Sequence, residues 1–341
     1  MSSSFSSAPV GAGQRFEVRP YKPSSGAPIA GVLQLIAGLA LAGAVLGFVA
    51  FYVSKAIWLI LVFPLLIGLA LAFVAGWLVK KGHVRNGALA GLAAFIGGVF
   101  AMTVMHYEGY RDVMTKIEAQ PKDVRESWQN VTEQEVRDES PPAELKQNLT
   151  TWRLYHIKNF FDYMDVEATE GVEIKSTRGS SSSPMNLGYV GSYVYWGVEV
   201  MLVAGIAFAG SRRTAHQPYS ETHSTWKTPE ALGFIASDTP ETVEAVRSGD
   251  IAALQRAGAG ALDGSLVLSA AHCGDATPDD VDIKLERVVR NKQGKVERKT
   301  LVHNTWPHAA LAALRAAFAP KPPPVAPPPL NPPAPPSTNT V

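Results

Sequence analysis

Four blocks of apolar residues, near 28–54, 56–79, 86–106 and 187–210, constrain this chain more than anything else in it. Each is about the 20 residues that a helix needs to cross a hydrocarbon core roughly 30 Å thick, so four transmembrane helices are expected. Little more than Ser54 and Lys55 divides the first two blocks. Read as a single helix they would run about 75 Å at 1.5 Å per residue, so the spacing predicts a tight turn near Tyr52 to Ala56. Pro64 is expected to bend the second span. Rows of small residues at four-residue spacing, Gly43 and Gly47, Gly68, Ala72 and Gly76, Gly87 and Gly91, Ala94 and Gly98, predict close helix packing.

Residues 1–27 are mostly polar or small and read as a disordered cytoplasmic N-terminus rather than a cleaved signal peptide, leaving the first span as its own targeting signal. Basic residues flank the blocks on one side: Arg15, Arg19 and Lys22, then Lys80, Lys81 and Arg85, then Arg212 and Arg213. The positive-inside rule puts these in the cytoplasm, and with them both termini. Segment 107–186 then lies outside, and Ala, Gly and Pro usage suggests a bacterial inner (plasma) membrane. This outer segment carries ten Lys or Arg against fifteen Asp or Glu, while 211–319 balances thirteen against thirteen, so neither offers the basic face that nucleic acid requires. The single cysteine, Cys273, has no disulfide partner within the chain.

Within 107–186 the helical pattern of the third span continues through Tyr110, Val113, Met114 and Ile117. A second amphipathic stretch runs from Leu145 to about Asp165, and together they predict a small helical cap. Residues 211–238 read as an irregular cytoplasmic linker. From 239 to 319 a small α+β domain is expected, with helices near 240–247 and 250–257. Asp238-Thr-Pro-Glu241 marks the start of the first of them. Strands are predicted in LVLSAAHC, DIKLERVV and KVERKTLVHNTW, with a hairpin turn at Asn291 to Gly294 and a closing Ala-rich helix. Residues 320–341 are a Pro-rich disordered tail. The expected fold is thus an α-helical polytopic membrane protein, a four-helix transmembrane bundle with a helical extracytoplasmic cap and an α+β cytoplasmic domain.

One carboxylate interrupts the fourth span: Glu199, eleven residues from either end. Ser192, Tyr195 and Glu199 share a helical face at spacings of three and four, a polar stripe leading from the outer surface toward mid-membrane. Hydrocarbon disfavours the ionised form, so the group is expected as a neutral acid, either handling protons or held by one hydrogen-bond partner. Gln34 in the first span, about five residues different in depth, is the expected partner; Thr103 and His106 stand further off.

The Ala-Ala-His-Cys element at 270–273 resembles the catalytic-histidine motif of trypsin-like serine proteases over about ten residues. Such an enzyme needs a later Asp, a nucleophilic Ser in a Gly-Asp-Ser-Gly setting and two β-barrels. Only 69 residues follow His272 and none supplies that serine element, so His272 and Cys273 are expected in a half-buried strand. His216, His223, His303 and His308 show no zinc-ligand spacing, and no cofactor motif occurs. The expectation is a non-enzymatic membrane anchor, assembly or signal-linking subunit. A protein partner would dock on the cytoplasmic domain or the Pro-rich tail, and a homo-oligomer would form through the small-residue faces. The alternative is a proton- or cation-coupled transporter or channel component using Glu199.

Overall fold

The computed structural model describes residues 15–56, 62–174, 185–261, 264–275, 277–291, 293 and 295–319. The chain forms two compact units, Ser24–Gln217 and the combination of Met1–Pro23 with Pro218–Val341. In chain order, β1 (Arg19–Pro20) precedes the long helices α1 (Ile29–Ala56), α2 (Val62–Lys81) and α3 (Gly87–Glu118). Shorter helices follow, α4 (Lys122–Asn130), α5 (Glu133–Glu139), α6 (Leu145–Tyr155) and α7 (Phe160–Glu170), then a ribbon of β2 (Glu173–Ile174) with β3 (Met185–Asn186), then α8 (Gly188–Ala215). The rest comprises β4 (Tyr219–Ser220), β5 (Thr225–Trp226), β6 (Thr228–Ile235), α9 (Pro240–Ser248), α10 (Ile251–Arg256), β7 (Ala259–Ala261), β8 (Leu266–His272), β9 (Val281–Arg290), β10 (Val296–Trp306) and α11 (Ala309–Phe318).

Helices α1, α2, α3 and α8 are long and apolar enough to cross a membrane. Large apolar side chains point outward from them, Phe73 being 79% exposed, as suits a hydrocarbon solvent. Inside, the helices meet through small residues. A Cβ on Gly47 would lie 2.3 Å from the Ala101 carbonyl oxygen, one on Gly98 2.7 Å from Ala204 Cα, and one on Gly68 3.2 Å from Val203 Cα. The four-residue rows in the sequence therefore lie at the helix contacts. α1 packs on α2 and α3, and α8 packs on α2 and α3, which sets α1 diagonally across from α8.

Three expectations change in this unit. The turn predicted at Tyr52 to Ala56 is helical, because α1 continues through Ala56; α2 begins at Val62, and residues 57–61, with Trp58, lie outside the described residues. Pro64 falls in the first turn of α2, where a missing N–H costs nothing, so no bend is required. The predicted amphipathic stretch 145–165 is two helices, since Asn159 starts a new one with its Oδ1 accepting the N–H groups of Phe161 and Asp162. α3 does run on to Glu118, and its Tyr110, Val113 and Met114 pack against a small core of Ile157, Tyr163 and Val166.

The second unit is an antiparallel sheet in the order β1-β10-β9-β8-β6-β7. Alternate residues Val281, Ile283 and Leu285 of β9 and Leu266, Leu268 and Ala270 of β8 face a core closed by α9, α10 and α11 around fully buried Trp306. Asn291 Oδ1 accepts the N–H groups of Gln293 and Lys295, tying the β9–β10 turn. Two expectations fail here. Residues 211–238 are not an irregular linker: α8 runs to Ala215, and β6 is an interior strand whose Pro229, Gly233 and bulge between Ala231 and Gly233 hide its alternation. Nor are all of residues 1–27 disordered. Arg19 and Pro20 pair with Thr305 and Asn304, the Tyr21 N–H donates to the His303 carbonyl, and Phe16 stacks on Trp306 at 6.4 Å. The segments 1–14, 179–184 and 320–341, for which disorder, a flexible lead and a Pro-rich tail are expected, lie outside the described residues.

Candidate functional site

The polar face of α8 assembles as its spacing implies, with Ser192, Tyr195 and Glu199 all buried. Tyr195 Oη donates to Glu199 Oε1 at 2.6 Å, an i to i+4 pair on one helix. Ser192 serves elsewhere: its Oγ donates to the Gly188 carbonyl at 2.8 Å and accepts the Val172 N–H at 3.0 Å, pinning the chain before α8 to the start of that helix. Glu199 is 4% exposed and lines a small, partly open space of about 10 Å³ with Ser54, Phe63, Pro64, Ile67, Met102 and Met105. That is the size of one water and too small for a hydrated cation.

Gln34 is not part of this site. Ser54 lines the same space as Glu199 and stands twenty residues along α1 from Gln34, about 30 Å of helix, and α1 is the diagonal neighbour of α8. Equal-depth reasoning from block midpoints fails because α8 extends to Ala215, so Glu199 sits nearer its first end than its last. Glu199 is level with Met102, fifteen residues into α3; a hydrocarbon layer measured from Gly87 would end about five residues further on, near Tyr107. On that measure the carboxyl would lie nearer one face of the layer than its middle. Beyond it, Lys55 Nζ meets Asp112 Oδ1 at 2.8 Å. Thr103 bonds within its own helix to the Val99 carbonyl, and the His106 ring packs edge-on against Trp196 at 5.5 Å.

The α/β unit holds two polar clusters. In the first, Arg315 grips Glu230 in a fork, Nε donating to Oε1 at 2.9 Å and to Oε2 at 3.2 Å and Nη2 to Oε2 at 2.7 Å, and its Nη1 reaches Asp275 at 2.8 Å. His272 Nε2 meets the same Glu230 oxygen at 2.9 Å, while its Nδ1 accepts the Gly274 N–H. Hydrogen bonding from Arg315 holds the Glu230 carboxyl below the ordinary range. His272 is thus fully occupied by a glutamate already bound to an arginine, which is not the arrangement of a general base beside a nucleophile. In the second cluster Lys227, 5% exposed at its side chain, points Nζ at Asp282 Oδ2 (3.0 Å), the Asp280 carbonyl (2.6 Å) and Asp279 Oδ2 (3.8 Å). Cys273 Sγ lies 3.5 Å from Asp279, and burial pushes its thiol up, away from the reactive thiolate. Among the described residues no group of three His, Cys, Asp or Glu side chains is placed to hold a metal ion.

Lys227, Glu230 and Arg315 carry no mark in the sequence, and Asp282 belongs to an acidic run, with Asp275, Asp279 and Asp280, that reads there as a solvated turn; these residues meet only through sheet pairing and the docking of α11. Comparison with protein-family models, curated proteins and solved structures finds no match.

Proposed function

We propose that this chain is a membrane anchor that holds a folded α/β unit at the cytoplasmic surface of a bacterial inner membrane, where that unit engages a protein partner in assembly or signalling. The observation that carries this reading is the pairing of β1 with β10. Residues before the first long helix and residues after the fourth build one sheet, so both must lie on one side of the bilayer, which an even number of crossings supplies. Lys80, Lys81, Arg85, Arg212 and Arg213 cluster at that same end of the helices and favour the cytoplasm. The short helices between α3 and α8 then form an acidic cap on the opposite side.

The competing reading is a proton- or cation-conducting component built on Glu199. A carboxyl bonded to Tyr195 beside a one-water space favours a structural role for that residue. The test is Glu199→Gln in the reconstituted protein. An anchor keeps its partner and its abundance, whereas a conducting protein loses flux at unchanged abundance. Because Phe16 and β1 close the α/β core, partner capture requires residues 15–23 as well as 218–319.

A further inference from the structure

The end of the β9–β10 hairpin stands beyond the sheet. Beyond Arg287, β8 gives β9 only the hydrogen bond from the Val288 N–H to the Ser265 carbonyl, and β1 covers β10 only at Asn304 and Thr305, so Val289–Arg290 and Val296–Glu297 pair with each other alone. This arm carries Arg290, Lys295, Arg298 and Lys299 against one carboxylate, Glu297. Arg298 lies 3.9 Å from Glu286, a loose contact, while Arg290, Lys295 and Lys299 make no ion pair among the described residues. The register sets Val296 opposite Arg290 and Val288 opposite Arg298, so two arginines and two valines share the sheet face turned away from the helices. Val296, on that face, is 50% exposed, and Val289, on the opposite face, is 42% exposed. The exposed valines at the tip of this cationic strand pair add nothing to the core beneath it.

We propose that this arm is a binding surface for anionic phospholipid headgroups, the basic side chains meeting phosphates and the valines entering the interfacial layer. Two observations select lipid over an acidic peptide. The chain carries four membrane-capable helices, and only five residues separate Pro23 from Ile29 and two separate Ala215 from Pro218. Short tethers hold the unit at a high effective concentration against a bilayer. Cationic side chains near an anionic leaflet each gain from its surface potential, and the gain vanishes with screening. This inference goes beyond the anchoring role and needs no protein partner.

The test is amide hydrogen exchange on the full-length protein in nanodiscs of phosphatidylcholine alone or mixed with phosphatidylglycerol. Exchange across Val296–Thr300 should slow by about tenfold or more in the anionic discs, given several basic residues each contributing to attraction. High salt should remove that protection, as should Arg290→Gln with Lys295→Gln, Arg298→Gln and Lys299→Gln, while β8 amides stay protected and report intact folding. Equal exchange in both disc types overturns the proposal, as does protection that appears only on adding a Glu-rich peptide.

Discussion

The bundle and the α/β unit are held together by opposite means. Helices α1, α2, α3 and α8 approach through residues that lack side chains, at Gly47, Gly68 and Gly98, and turn their large apolar residues outward. The α/β unit packs Trp306, Leu266, Leu268, Ile283 and Leu285 inward. In lipid no hydrophobic force drives helices together, so close backbone approach must supply dispersion; in water the same force builds a filled core. Each unit also buries polar contacts suited to its solvent, among them a Tyr–Glu pair in the bundle and a Lys–Asp pair in the sheet unit.

That contrast breaks most severely at Lys227. Lys227→Met strands Asp282 and Asp279 beside an apolar side chain, and a loss of about 3–5 kcal/mol is expected. Denaturant unfolding followed by exchange of β8 and β9 amides measures it, and Lys227→Met with Asp282→Leu should recover part of the loss. In the bundle, Gly98→Leu drives a side chain into Ala204 and should cost about 1–3 kcal/mol or more, read as aggregation in detergent. Gly205→Ala on α8, where a Cβ meets nothing within 4 Å, should carry no packing penalty and gain up to about 1 kcal/mol from helix propensity, and so separates the two effects. Glu199→Leu leaves the Tyr195 hydroxyl without its acceptor, at about 1–3 kcal/mol, whereas Glu199→Gln keeps an acceptor oxygen and should be nearly silent in thermal melts.

The smallest effect expected is a pH dependence in the α/β unit. Burial, reinforced by Lys284 and opposed by Glu286, lowers the pKa of His303 to about 4, and its ring stacks on Tyr21 at 3.8 Å. The unfolded chain, with an ordinary histidine, then binds more protons than the folded one between about pH 6.5 and 4. Stability from this residue is present above that window and is lost as pH falls through it. His303→Gln should flatten the difference, measured as the midpoint of denaturant unfolding at pH 7 against pH 5.

Much of the frame was legible because period and length are local properties. Twenty apolar residues report a membrane-capable helix, and alternation reports β8, β9 and β10. What escaped were elements defined by distant partners. β1 is two residues, one of them proline, and exists only because β10 offers an open edge at Asn304 and Thr305. β6 hides behind Pro229 and Gly233, while α4 has no buried residue to mark it. α5 was readable after all, since Thr132 and Glu135 form a capping box. At the candidate site the i to i+4 spacing located Tyr195 correctly, but depth arithmetic chose Gln34 because the helix ends were misplaced by several residues.

The sheet built from both ends of the chain is tested most directly by a cross-link. With Cys273 replaced by Ser, cysteines at positions 19 and 305, which pair in register and should stand about 5.5 Å apart at Cα, are within disulfide reach. In intact membranes mild oxidation should join Arg19→Cys to Thr305→Cys within one chain while leaving either single variant unchanged. If the two thiols stay separate and react with an impermeant reagent from opposite faces of the vesicle, the two ends do not share a compartment and the anchoring account is wrong.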